Sequence, residues 1–167
     1  MNFIFGSKSR KYLEIMLRQK PNAVADVSGI PSHRKIKGTV AFFQTDEGVL
    51  VRAEFSGLPS RSGKCGGEFL GFHIHEGKTC TGNREDPLAD TKRHYNPNHC
   101  EHPYHAGDLP PLLSNGGHAF MTVLTNRFTV KDVLGRTVVV HSHADDFHTQ
   151  PSGDSGAKIA CGVIRCS

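Results

Sequence analysis

Ten of the eleven histidines fall between His73 and His148, and only His33 lies outside that stretch. Imidazole is the commonest metal ligand and titrates near neutral pH, so this crowding points to a metal site. His73 and His75 stand one residue apart in the apolar run GEFLGFHIHE. On a strand, period two puts both rings on the same face, where two nitrogens can converge on one ion. His141 ends the run TVVV and offers a third corner. His143 repeats the spacing as a rival, and Asp145 and Asp146 just beyond are carboxylates able to orient imidazoles. The stretch HYNPNHCEHPYHAGDLPPL holds His94, His99, His102, His105 and Asp108. Three imidazoles with one carboxylate suit four-coordinate zinc, and a filled ligand set is structural. A zinc ion that ties down a long loop lacking its own core makes energetic sense. The plainer reading is a histidine-rich loop that holds metals loosely at the surface. His118 and His148 read as ordinary surface histidines.

Ligands on a strand need a sheet behind them. From residue 36 the apolar pattern has period two: KGTVAFFQT and GVLVRAEFSGL alternate, with Val49, Val51, Ala53 and Phe55 on one face and Arg52 and Glu54 on the other. Asp46-Glu47-Gly48 between them is a hairpin turn signal. GEFLGFHIHE, AFMTVL, GRTVVVHSH and KIACGVIR read as four further strands. Two long Gly-, Pro- and Asp-rich loops, residues 77–117 and 142–157, separate them; loops of that length in a compact domain are usually functional. Residues 8–19 carry the one convincing helical period, closed by Pro21. It reads as an appendage helix capping the domain, and its basic amphipathic character leaves a membrane surface as the weaker alternative. The expectation is an all-β antiparallel sandwich or barrel over residues 36–167, preceded by a helical extension over 1–35.

With 37 % hydrophobic and 22 % charged residues, the 167-residue chain has ordinary globular composition, which excludes disorder, collagen and coiled coil for the whole chain. No run approaches the roughly 20 apolar residues of a membrane helix. The net charge of +4 is spread without a dense basic run, so neither a nucleic-acid nor a membrane partner is expected. Five cysteines, Cys65, Cys80, Cys100, Cys161 and Cys166, contain no CxxC pair, which argues against a thiolate zinc knuckle. One long-range disulfide is plausible. The first twenty residues lack the apolar core of a secretory signal. Cytoplasm is therefore the default compartment, with an extracytoplasmic one as the alternative, because a stable disulfide is unusual in cytosol.

GFHIHE, the HAGD run, VVVHSHADD and the terminal ACGVI together resemble the copper/zinc superoxide dismutase family, in the right order, from about Val40 to Arg165. The resemblance implies an eight-stranded Greek-key β-barrel of immunoglobulin-like character. It implies that His73, His75 and His141 bind copper, that His94 bridges copper and zinc, and that His102, His105 and Asp108 complete zinc. Asp145 takes the place of an aspartate hydrogen-bonded to His73 and His102, and Cys80 with Cys161 matches the family's disulfide. Two departures stand out. Lys158 occupies the place of the usual arginine above the copper, keeping the charge but losing the planar fork. The spacing His102-Pro-Tyr-His105 is several residues shorter than usual, which leaves His99 as a possible substitute for His102. Cys65, Cys100 and Cys166 have no standard role.

The resemblance further implies an oxidoreductase acting on superoxide anion, in which copper cycles between Cu(II) and Cu(I), His94 supplies a proton and Lys158 draws in the anion. A homodimer is a possibility the family's varied dimer surfaces leave open. The runner-up is a non-catalytic relative that carries copper or zinc. A zinc hydrolase is third, and the closed ligand set argues against it.

Overall fold

The computed structural model describes residues 7–167. Helix α1 (Ser7–Arg18) leads into β1 (Ala23–Gly29), β2 (Lys37–Thr45) and β3 (Gly48–Ser56). The run GEFLGFHIHE forms β4 (Glu68–Leu70) and β5 (Phe72–His75), parted at Gly71. Next come β6 (Leu112–Ser114), β7 (Ala119–Thr125), the short helix α2 (Val130–Val133), β8 (Thr137–His141), β9 (Lys158–Val163) and β10 (Arg165–Cys166). Taking β4 with β5 and β9 with β10 as single interrupted strands, the ten segments make eight.

The main sheet is antiparallel and curls in the order β5-β8-β9-β1-β2-β3-β7, while β4 pairs with β6, which lies against β7 and turns the sheet back on itself. Sequence neighbours such as β3 and β4 are not sheet neighbours, so the connections cross over as in a Greek-key barrel. Alternation decides what fills it. Val49, Val51, Ala53 and Phe55 of β3 point inward to meet Val40 and Phe42 of β2 and Phe72 and Ile74 of β5. With no tryptophan in the chain, Phe55 and Phe72 occupy the centre edge to face, their centroids 5.9 Å apart.

The extension expected over residues 1–35 is shorter in the structure. Ala23–Gly29 pairs with β2 along its length and with β9 and β10 on the other side. Ala23, Ala25 and Val27 alternate into the core, but alanine carries too little apolar area to mark a strand in sequence. The helix expected over 8–19 is α1. It lays Ile15, Tyr12 and Met16 over the outward Ala41, Phe43 and Leu50 of β2 and β3. β6 is a short strand inside what reads in sequence as the continuous loop 77–117.

Candidate metal centre

The barrel turns two strands' outer faces toward the long loops. In β5, Phe72 and Ile74 enter the core, so period two sends His73 and His75 outward, yet all four are buried because the loops close over them. In β8, Val138 and Val140 enter the core and His141 shares the outer face. The loop that follows Cys80 returns along the free edge of β5. Tyr95 N–H donates to Ile74 O at 2.8 Å and Ile74 N–H donates to Gly107 O at 2.9 Å. Isolated bridges pair His75 with His94 and His73 with Asp108. Gly107 is required there: a Cβ at this position would stand 2.2 Å from Ile74 O.

Two clusters result, and they share one residue. Ligand-capable atoms of His73, His75, His94 and His141 lie within 4.8 Å of one another, as do those of His94, His102, His105 and Asp108. All seven residues are buried. His99, weighed as a substitute for His102, is exposed and joins neither cluster, and exposed His143 gives way to His141.

Outer hydrogen bonds fix which ring nitrogen faces inward. His75 Nδ1 donates to Lys92 O at 3.0 Å and His141 Nδ1 to Gly156 O at 3.2 Å. Their Nε2 atoms are then bare lone pairs, and they face each other at 3.2 Å. Two lone pairs at that distance repel unless a cation lies between them. His73 Nε2 and His102 Nε2 bond the two oxygens of Asp145, at 2.7 and 2.9 Å, so a single carboxylate ties the clusters together. Their other nitrogens, with His94 Nε2 and His105 Nδ1, are buried without a hydrogen-bond partner among the described residues. Buried polar atoms are nearly always paired, and such a set of inward lone pairs fits metal ions. On the second side Asp108 Oδ1 accepts from His94 Nδ1 at 2.8 Å, while Oδ2 stands 3.1 Å from His102 Nδ1 and 3.3 Å from His105 Nδ1 without a hydrogen bond to either.

Burial pushes the His73 ring down to about 4 and the His141 ring to about 3, and lowers His75 and His105 too. These four are neutral at pH 7, the state a metal requires. Burial alone would raise the Asp108 and Asp145 carboxyls. The hydrogen bonds from His94 to Asp108, and from His73, the Phe147 N–H and His102 to Asp145, outweigh it, so both sit below the ordinary aspartate range.

A cleft of about 420 Å³ opens onto the first cluster, with His75, His94 and His141 inside and Lys92, Arg93 and Lys158 among its other lining residues. Lys158 is not a free charge. Its ammonium donates to Asp86 Oδ2 at 2.7 Å and to Leu88 O at 3.0 Å.

A family model described as copper/zinc superoxide dismutase matches residues 36–164. This chain belongs to that family. A second Cu-Zn superoxide dismutase of Aquifex aeolicus is 31% identical over 151 residues, 81% of this chain and 83% of its own. The Cu-Zn superoxide dismutase of Legionella pneumophila is 34% identical over 136 residues, 77% of each chain. An extracellular Cu-Zn superoxide dismutase of Drosophila melanogaster is 34% identical over 148 residues, 78% of this chain and 76% of that one. The crystal structure of a double mutant of a SOD-like protein from Bacillus subtilis superposes with a TM-score of 0.68 at 29% identity, over 85% of this chain and 96% of that one. Relatives therefore include bacterial and extracellular forms.

Copper and zinc are the metals of a copper/zinc superoxide dismutase family member, and two histidine-rich clusters sharing one ring are the donor sets that such a pair needs. The Cys80–Cys161 disulfide is present and joins the loop after β5 to β9. Sequence reasoning missed the carbonyls of Lys92 and Gly156, the Asp86 carboxylate, Gly153, and two side chains that reach the loop from outside, Arg127 and Gln150. A main-chain oxygen carries no residue signature, and partners 19 to 72 positions away leave no local spacing to read.

Proposed function

We propose that this chain is a superoxide dismutase in which His73, His75, His94 and His141 hold copper, and His94, His102, His105 and Asp108 hold zinc. The observation that carries the reading is His94. Its Nε2 is buried and unpaired among the described residues beside His73, His75 and His141, while its Nδ1 meets Asp108. One imidazole spanning two ligand sets is what a bridge requires.

Bound copper supplies a one-electron couple, so that one superoxide leaves as dioxygen and a second is reduced to hydrogen peroxide, while zinc is redox-silent. The chain's residues do the rest. His73, His75 and His141 keep three inward nitrogens fixed by their outer bonds, so little rearrangement accompanies the change of charge. His94 Nε2, when free of the metal, would hold and deliver one of the two protons that peroxide needs, and solvent in the cleft would deliver the other. Asp145 keeps His73 and His102 oriented. Lys92, Arg93 and Lys158 outnumber the one acidic lining residue, Glu101, and make the cleft attractive to an anion although Arg93 is paired with Glu76; such fields raise association rates by roughly ten- to a thousandfold. Asp86 offsets part of the Lys158 charge. A homodimer and an oxidising compartment, which suits the disulfide, belong to the same proposal.

The test is reconstitution with copper and zinc, followed by superoxide consumption at two ionic strengths. Turnover that falls with salt is expected. His75→Ala should lose copper and turnover while keeping zinc, whereas His94→Ala should disturb both metals. Full activity in His75→Ala would overturn the ligand assignment. Tight binding of both metals without turnover would make the protein a metal carrier instead.

A further inference from the structure

The segment from His102 to Asp108 carries three of the zinc-side ligands in seven residues. Asp108 N–H donates to His105 O and Tyr104 N–H to Glu101 O, which closes two tight turns, and Gly107 ties the end of the segment to Ile74 of β5 and to Tyr95. Two side chains from outside hold the rest. Gln150, in the loop before β9, brackets one residue: its Oε1 accepts from His102 N–H at 3.0 Å and its Nε2 donates to His102 O at 2.8 Å. From the opposite side Arg127, after β7, places Nη1 at 3.0 Å from Pro103 O and 3.3 Å from both His105 O and Asp108 O. Gln150 thus grips the backbone of one ligand, and Arg127 grips the turn that carries the other two.

We infer that Gln150 and Arg127 are positioning residues for the zinc ligands, acting in place of the loop residues that the short His102–His105 spacing leaves out. The chemistry is specific. An amide presents one acceptor and one donor side by side, matching the N–H and C=O of a single residue; a carboxylate can answer only the N–H. On Arg127 one nitrogen, Nη1, faces three carbonyls of a single turn, a set that a lysine ammonium with its three donors can imitate in part. Neither side chain is within the two ligand sets, so each acts through the main chain of residues that are. Groups that orient metal ligands in this way typically carry about ten- to a hundredfold in metal affinity.

The inference rests on the zinc assignment above, and the experiment separates the two. The full chain, loaded with copper and zinc, is challenged with a zinc chelator, and zinc and copper retained are both measured; unfolding of the metal-free protein is followed in parallel. Gln150→Glu and Arg127→Ala should each weaken zinc retention by about ten- to a hundredfold. Copper should stay in place, and metal-free unfolding should be unchanged. Arg127→Lys should recover part of the loss. Zinc retention equal to wild type in both variants would overturn the inference, as would a loss matched by a fall in metal-free stability, which would mark the pair as general scaffold. A control, His102→Ala, tests the underlying assignment: if it keeps zinc as the wild type does, both readings fail.

Discussion

Lys158 shows how one neighbour changes what a charge can do. Its ammonium shares the cleft with His75, His94 and His141, yet Asp86 sits 2.7 Å away and holds it against the disulfide-bonded loop. An exposed or half-exposed ion pair is strongly screened by salt, and its field at a distance is that of a dipole. Asp86→Asn should therefore raise the low-salt rate of superoxide consumption and steepen its salt dependence, the gain disappearing near 1 M salt where the Debye length is about 3 Å. Lys158→Glu should do the opposite and more strongly, because it places a second carboxylate beside the first. Stopped-flow rates across a salt series check both; equal slopes in all three proteins would remove Lys158 from the anion's path. The lysine was legible in sequence through its place in ACGVI's strand, but its partner was not, because Asp86 lies 72 residues earlier in a loop with no periodicity.

At the scale of elements, readability follows the strength of the alternating pattern. β5 and β8 carry unmistakable apolar runs, so His73 and His75 read from sequence as sharing one face and His141 as a third corner at a strand's end, with His143 its rival. β1 hides behind alanines and β6 is three residues long. The loop before β9 is legible only as a loop, yet it carries Asp145, Gln150 and Gly153. Gly153 has φ of +66°, and a Cβ there would lie 2.1 Å from an Asp145 carboxylate oxygen and 2.7 Å from His102 Nε2. Gly153→Ala meets both penalties: left-handed backbone strain of about 1–3 kcal/mol and displacement of the carboxylate that joins the clusters. The expected result is a lower unfolding temperature together with weaker binding of both metals. Normal metal content in the variant would mean that Asp145 tolerates the shift. Helix α1 gives a second prediction at this scale. Twelve residues are too few for an isolated helix to persist in water, so α1 depends on Ile15 docking over Phe43 and Leu50. Ile15→Asp should make the segment 7–18 sensitive to limited proteolysis while leaving the barrel resistant; an equally protected helix would show that Lys11's contacts with Asp46 and Glu47 suffice.

For the molecule as a whole, the two clusters make stability depend on acidity. The disulfide closes the chain from Cys80 to Cys161, a separation of 81 residues, and long closures of this kind are worth roughly 2–4 kcal/mol. That contribution is independent of pH across the acid range, so it does not mask the histidines. In the native metal-free protein the His73 ring stays neutral down to about 4 and the His141 ring to about 3, because burial disfavours their charged forms. In the unfolded chain both protonate near 6.5, the ordinary value. Between those limits the unfolded state binds more protons, so stability rises with pH and is lost as pH falls. The urea midpoint of the metal-free protein should be level from pH 8 to about 7 and decline steadily from about 6.5 toward 4. Asp108 and Asp145, held below the ordinary value, add their own loss in the same direction at lower pH, once unfolded aspartates begin to protonate. Metal ions bind imidazole in its neutral form, so under the proposed ligand assignment the loaded protein should hold its midpoint to lower pH and then give up its metals and its stability together. His141→Gln should flatten the metal-free decline, since glutamine does not titrate. A midpoint that stayed level down to pH 4 in the wild type would mean that water reaches these rings and that the loops do not close over the barrel's outer face.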